Sequence, residues 1–127
     1  MFGQYRLPFV ESRYLVSASQ FDLFQLPYDE GSSPPYSMSN GQLAYASSFQ
    51  AAVRGVFVGP PRVAPTASQA AQGSAVFSSA CFKHCTSNAA AFWDVKVAGV
   101  SLKDFLASWL EGEAPTTWVE NCSGTVD

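Results

Sequence analysis

A single histidine, His84, stands in a chain of 127 residues that also holds Cys81, Cys85 and Cys122 and ten acidic residues. Imidazole titrates near neutrality, so it can take a proton from a nucleophile and return it to a leaving group. It does so best beside a carboxylate that fixes its tautomer and stabilises the imidazolium. Asp22 suits that role, lying upstream of His84 just past an apolar run, with one predicted helix between the two. Acid before base is a chain order found among serine hydrolases. Asp29, Asp94 and Asp104 are rival acids. A serine nucleophile needs the strained elbow G-x-S-x-G, which is absent from this sequence. The nearest strings, Gly31-Ser32-Ser33-Pro34 and Cys122-Ser123-Gly124, lack the flanking glycines, so a self-contained serine hydrolase is disfavoured.

The cysteines allow other chemistry. Cys81, His84 and Cys85 offer three soft ligands on one turn, short of the four that a structural zinc site takes. Cys81 as nucleophile with His84 as base is the weaker option, because an i, i+3 pair on one turn seldom reaches thiolate–imidazolium geometry. The plainest reading of the cysteines is one disulfide, most simply from the segment beside His84 to Cys122. An odd cysteine count fits a missing partner or free thiols alike. Neither a metal nor a cofactor is expected.

The elements that would position these groups follow from periodicity. Tyr14-Leu15-Val16-Ser17-Ala18 reads as a short buried strand, which puts Asp22 just past a strand's carboxyl end, where parallel α/β sheets carry functional groups. Gly31-Ser32-Ser33-Pro34-Pro35 is a loop. From about Gly41 to Gly55, Tyr45, Phe49, Ala52, Val53 and Val56 recur on one face of a helix. The proline-rich stretch 58–65 ends it, and Thr66 to Gln72 suggests a short surface turn of helix. Ala75-Val76-Phe77 reads as a second strand, leading directly to the Cys81–Cys85 segment. Trp93-Asp94-Val95-Lys96-Val97 alternates like a half-exposed strand, and Ala98-Gly99 turns the chain. Ser101 then caps a helix with Asp104 three residues on, Leu102, Phe105, Leu106, Trp109 and Leu110 form its apolar face, and Gly112 stops it. A loose tail ends in Cys122-Ser123-Gly124. The whole, residues 1–127, is expected to be one unit of the α/β class with few, mainly parallel strands.

Composition narrows the function. Hydrophobic residues make up 47% and aromatics 14%, which predicts a dense core and excludes a disordered chain. The net charge of −3, without a basic cluster, argues against nucleic-acid binding. No apolar run approaches the ~20 residues needed to span a bilayer, and Met1-Phe2-Gly3-Gln4-Tyr5-Arg6 does not resemble a signal peptide.

Three blocks of the sequence, in order, carry a family resemblance. Ser79-Ala80-Cys81-Phe82-Lys83-His84-Cys85 resembles the histidine-bearing segment of the pectin acetylesterase and Notum family, with its cysteine three residues before the histidine. Phe92 to Ser101, running on to Trp109, is similar to that family's C-terminal strand and helix. Ser17-Ala18-Ser19-Gln20-Phe21-Asp22-Leu23-Phe24-Gln25 resembles its strand, aromatic residue, catalytic aspartate and following glutamine. The resemblance implies an α/β-hydrolase fold, hydrolysis of carboxylic esters, Asp22 as triad acid and His84 as base. It implies an acylated substrate, either a polysaccharide acetyl ester or an acyl-protein, and secretion, with a Cys81–Cys122 disulfide that leaves Cys85 free or paired elsewhere. The family keeps its Gly-x-Ser-Ala-Gly elbow upstream of the aspartate, so this chain is expected to be a C-terminal fragment, inactive alone and either marginally stable or self-associating through exposed apolar faces. Phe21, Phe24 and Phe82 flank the proposed acid and base, but core packing explains them better than an acyl pocket. The competing expectation is a non-catalytic binding domain that has kept the scaffold.

Overall fold

In a computed structural model, residues 6–22, 25, 38–58, 65, 67–82, 90–113 and 117–120 are described, with 81, 82 and 91 as backbone. The frame is a three-stranded parallel sheet with Ala75–Phe82 (β2) at its centre, flanked by Leu15–Phe21 (β1) and Thr117–Val119 (β5). Parallel neighbours cannot be joined by a tight turn and need a long crossover. Helices Asn40–Val58 (α1) and Ala67–Ala71 (α2) make the first one. The second runs through a single helical turn, Ala91–Asp94 (α3), a hairpin of Lys96–Val97 (β3) with Val100–Ser101 (β4), and helix Leu102–Glu111 (α4).

Side chains alternate across a strand, and the two faces of β2 are covered differently. Val76 packs with Val53 and Phe57 of α1, joined by Val16, Ala18 and Val119. Ala75 and Phe77 face the other way, onto Val97, Leu102 and Phe105. There the Phe105 ring lies 5.3 Å from Phe77 and 5.4 Å from Trp118, tilted in both pairs. Each such side chain contributes roughly 1.5–3 kcal/mol by leaving water. The mixed α/β class and the parallel strands expected from the sequence are therefore present.

The entry to β1 is fastened by polar groups. The buried Gln69 of α2 donates through Nε2 to the carbonyls of Leu7 and Val10, at 2.9 and 3.0 Å, and its Oε1 accepts from the Tyr14 hydroxyl at 3.3 Å. The predicted surface turn at 66–72 thus has an inward-facing amide. Burial raises the Tyr14 pKa. On the far side the Trp109 indole N–H donates to the Gly73 carbonyl, and the Arg13 guanidinium lies 4.2 Å over the same indole.

Four expectations need correction. The buried face of α1 is set by Ala46, Val53 and Phe57 with Phe49 beside them, whereas Tyr45 is 37% exposed and Ala52 is also exposed. Alanine adds little to a hydropathy pattern, and tyrosine tolerates a wet edge, so the stripe is displaced from the one expected. Trp93-Asp94-Val95-Lys96-Val97 is not one strand. Trp93 ends in α3, 58% exposed, and only Lys96–Val97 pairs with Val100–Ser101. Ala98 and Gly99 both hold positive φ, 50° and 83°, which suits the turn of a two-residue hairpin. Leu110, assigned to the packed face of α4, is 64% exposed. Part of the expected loose tail is β5, whose Thr-Trp-Val composition favours a strand.

Ser101 caps α4 as expected, its Oγ accepting from the Asp104 N–H at 3.1 Å and donating to Asp104 Oδ2 at 2.7 Å. Gly112 ends the helix at φ 84°, its N–H reaching the carbonyls of Ser108 and Trp109. Among the described residues no helix is long and apolar enough to cross a membrane.

Candidate active site at the carboxyl end of the sheet

All three strands run the same way, so their carboxyl ends lie along one rim. Leu15 to Ser19 of β1 pair in step with Ala75 to Ser79 of β2, and then the register slips by one, so that Phe21 stands opposite Phe82. Asp22 follows at once, half-buried, with Oδ1 accepting from the Gln25 N–H at 3.0 Å. The strand before Asp22 is longer than expected, ending at Phe21 instead of Ala18. Ser19 and Gln20 look like strand-ending polar residues but are buried inside it.

His84 lies outside the described residues, as do Asp29, Phe24, Cys85 and Cys122 and the side chains of Cys81 and Phe82. The disulfide, the metal turn and the thiol nucleophile therefore fall outside them too. Among the described residues no three His, Cys, Asp or Glu side chains are gathered as metal ligands. Phe21 packs with Ala46, Met38, Phe49 and Ala80, a core position.

Two of the rival acids are otherwise engaged or unsuited. Asp104 is committed to the α4 cap and to an ion pair with Lys103 at 3.0 Å. The hydrogen bond from Ser101, then the bond and charge of Lys103, hold its carboxyl below the usual carboxylate value. Asp94 is exposed at the end of the single turn α3. Asp22 alone among Asp22, Asp94 and Asp104 directly follows a strand of the parallel sheet.

Sequence reasoning missed the groups that build the rim. The fully buried Gln20 donates through Nε2 to the Glu120 carbonyl at 2.9 Å and the Ser78 carbonyl at 3.4 Å, and its Oε1 accepts from Gln50 Nε2 at 3.2 Å. Glu120 continues β5: its N–H donates to the Ser78 carbonyl at 2.9 Å, and its Oε2 accepts the Ala80 N–H at 2.6 Å. A carboxylate thus stands in where the next backbone carbonyl of a strand would be, and a charged acceptor makes that bond short and strong. The only sequence signal was an acidic residue behind a Thr-Trp-Val triplet. Nothing marked Gln50, a polar residue in a helix, as inward-facing.

In chemical terms the rim offers two half-buried carboxylates, Glu120 bonded to the Ala80 N–H and Asp22 beside the end of the central strand, with a buried amide network between the strands. Such a carboxylate can orient and stabilise a neighbouring cation, including an imidazolium. Compared with models of known protein families, with curated proteins and with solved structures, the chain matches none.

Proposed function

We propose that the chain is the C-terminal portion of a carboxylic ester hydrolase of the pectin acetylesterase and Notum kind, built on an α/β-hydrolase scaffold. Asp22 is its triad acid and His84 its base, and the serine and oxyanion hole come from polypeptide other than these 127 residues. The serine would attack the acyl carbon, His84 would carry its proton to the leaving alcohol, and water would then release the acid. The substrate class is an acyl ester on a polysaccharide or a protein, met outside the cell.

One observation carries the reading: the residue before Asp22 and the residue two before His84, Phe21 and Phe82, are partners on adjacent parallel strands at their carboxyl ends. His84 is two residues beyond Phe82 in sequence, and this register supports the pairing of acid and base. Two of the three blocks that resemble the family supply these paired strands, the acid's block before the base's in the chain, which supports the reading.

The test needs no turnover. Because His84 is the only histidine, its ring resonances are assignable at once and its pKa can be read by NMR titration. Asp22→Asn keeps an oxygen for the Gln25 N–H but removes the charge. A carboxylate partner within contact range raises an imidazole pKa, so the substitution is expected to lower that of His84 by about 1 unit. Superimposable titration curves for the two proteins would remove Asp22 from the mechanism.

A further inference from the structure

We infer that Gln20 is the positioning residue of this rim: its carboxamide locks the carboxyl ends of all three strands to one another and so sets the point from which Asp22 leaves the sheet. The inference deepens the esterase reading and rests on it only for what Asp22 then does.

Four observations converge on this side chain. First, it spans the sheet. Rooted in β1, it crosses β2 at the Ser78 carbonyl and reaches the Glu120 carbonyl just past β5, while Gln50 of α1 donates to it from above. A primary amide supplies two donors and an acceptor on one planar group, which is what two carbonyls and one N–H require. A glutamate would aim charge at the two carbonyls, and an apolar residue would leave all three partners unmet.

Second, it is fully buried, and so is Ser78 below it, so the bonds form away from water, where losing them is costly. Third, it sits in the register slip between Ser19 and Phe21. Val16, Ala18 and Gln20 face α1 in alternation, and then Phe21 turns to the α1 side as well, against Ala46. The alternation breaks between Gln20 and Phe21, one residue before Asp22. Such irregularities re-aim a side chain next to a functional site. Fourth, the same network holds Glu120, whose N–H, carbonyl and carboxylate are each bonded to β2 or to Gln20. The rim is thereby fixed on both flanks of β2.

A buried glutamine elsewhere supplies the control. Gln69 is equally satisfied, but it ties the Leu7–Val10 segment to the opposite end of β1. The experiment compares Gln20→Met, the milder Gln50→Met and Gln69→Met with the parent chain by amide hydrogen exchange and by the His84 titration. In Gln20→Met the amides of Ala80 and Glu120 should lose about tenfold more protection than those of Val76 and Phe77, nearer the start of β2. The His84 pKa should move at least about half a unit toward its ordinary value near 6.5. Gln50→Met should follow in the same direction to a smaller degree, and Gln69→Met should spare both readouts.

Protection lost evenly along β2 in Gln20→Met would reduce Gln20 to a general stability residue and overturn the inference, as would an equal His84 shift in Gln69→Met. If Gln20→Met does not fold, Gln50→Met decides by the same two readouts. The two ideas fail separately. An unchanged His84 pKa in Asp22→Asn sinks the triad, while the exchange pattern of the rim still upholds or overturns the role of Gln20.

Discussion

The buried run Ala75–Ser79 of β2 has two chemically opposite halves. Ala75-Val76-Phe77 presents apolar groups to both faces, onto α1 and onto α4 with its hairpin. Ser78 and Ser79, the next residues along, are just as enclosed, yet they sit among amides, carbonyls and a carboxylate. Burial of the first half stabilises the fold directly. Burial of the second stabilises only where every polar group finds a partner, and Ser78 Oγ finds none among the described residues. The polar half lies toward the carboxyl end of the strand, the end at which parallel sheets carry their sites.

Substitutions at neighbouring positions can break that contrast. Phe77→Ala should cost the most, about 3–5 kcal/mol by chemical denaturation, because the cavity would open beside Phe105 in the cluster with Val97 and Leu102. A loss below ~1 kcal/mol would mean that the apolar half is not the core.

Ser101→Ala comes next, at about 1 kcal/mol for the lost helix cap. It also has a pH signature. The folded-state pKa of Asp104 is depressed, chiefly by Ser101, so its contribution is present above its ordinary value of 3.8 and fades as the pH falls through the folded value. Removing the hydroxyl should raise the Asp104 pKa in a carbon-detected titration and flatten the acid limb of the stability profile. A pKa left in place would transfer the effect to Lys103.

The smallest change, and the one of opposite sign, belongs to Ser78→Ala. Deleting a buried hydroxyl without a partner should leave stability unchanged or raise it by up to ~1 kcal/mol. A clear loss would show that the hydroxyl is bonded in solution, and the polar half would then be better satisfied than it looks.

The same contrast explains what could be read from the sequence. Local signals carried well: the Ser101 cap, the Gly112 stop, the Ala98-Gly99 turn and the apolar cores of β1 and β2 each depend on residues close in sequence. The rim did not. Ser19 and Gln20 resemble residues that end a strand, and for Gln20 only partners far along the chain, Gln50, Ser78 and Glu120, make it favourable to bury the amide. β5 was missed for a related reason. A three-residue strand has too few side chains to show a period, and its existence depends on pairing with β2. Asp22 was legible because its position, just past an apolar run, is a local fact.

The parallel register also decides the order in which the molecule is assembled. Sixty positions separate Tyr14 from Ser74 where β1 and β2 begin to pair, whereas β3, β4 and α4 are neighbours in sequence. Contacts between near neighbours form fast, and those that close long loops form late. The hairpin and its helix are thus expected to form early, and β1 waits until the crossover through α1 and α2 has been made before its partner strand exists. Until then it is an unpaired apolar segment without a single charged side chain, the stretch that a chaperone would most need to shield.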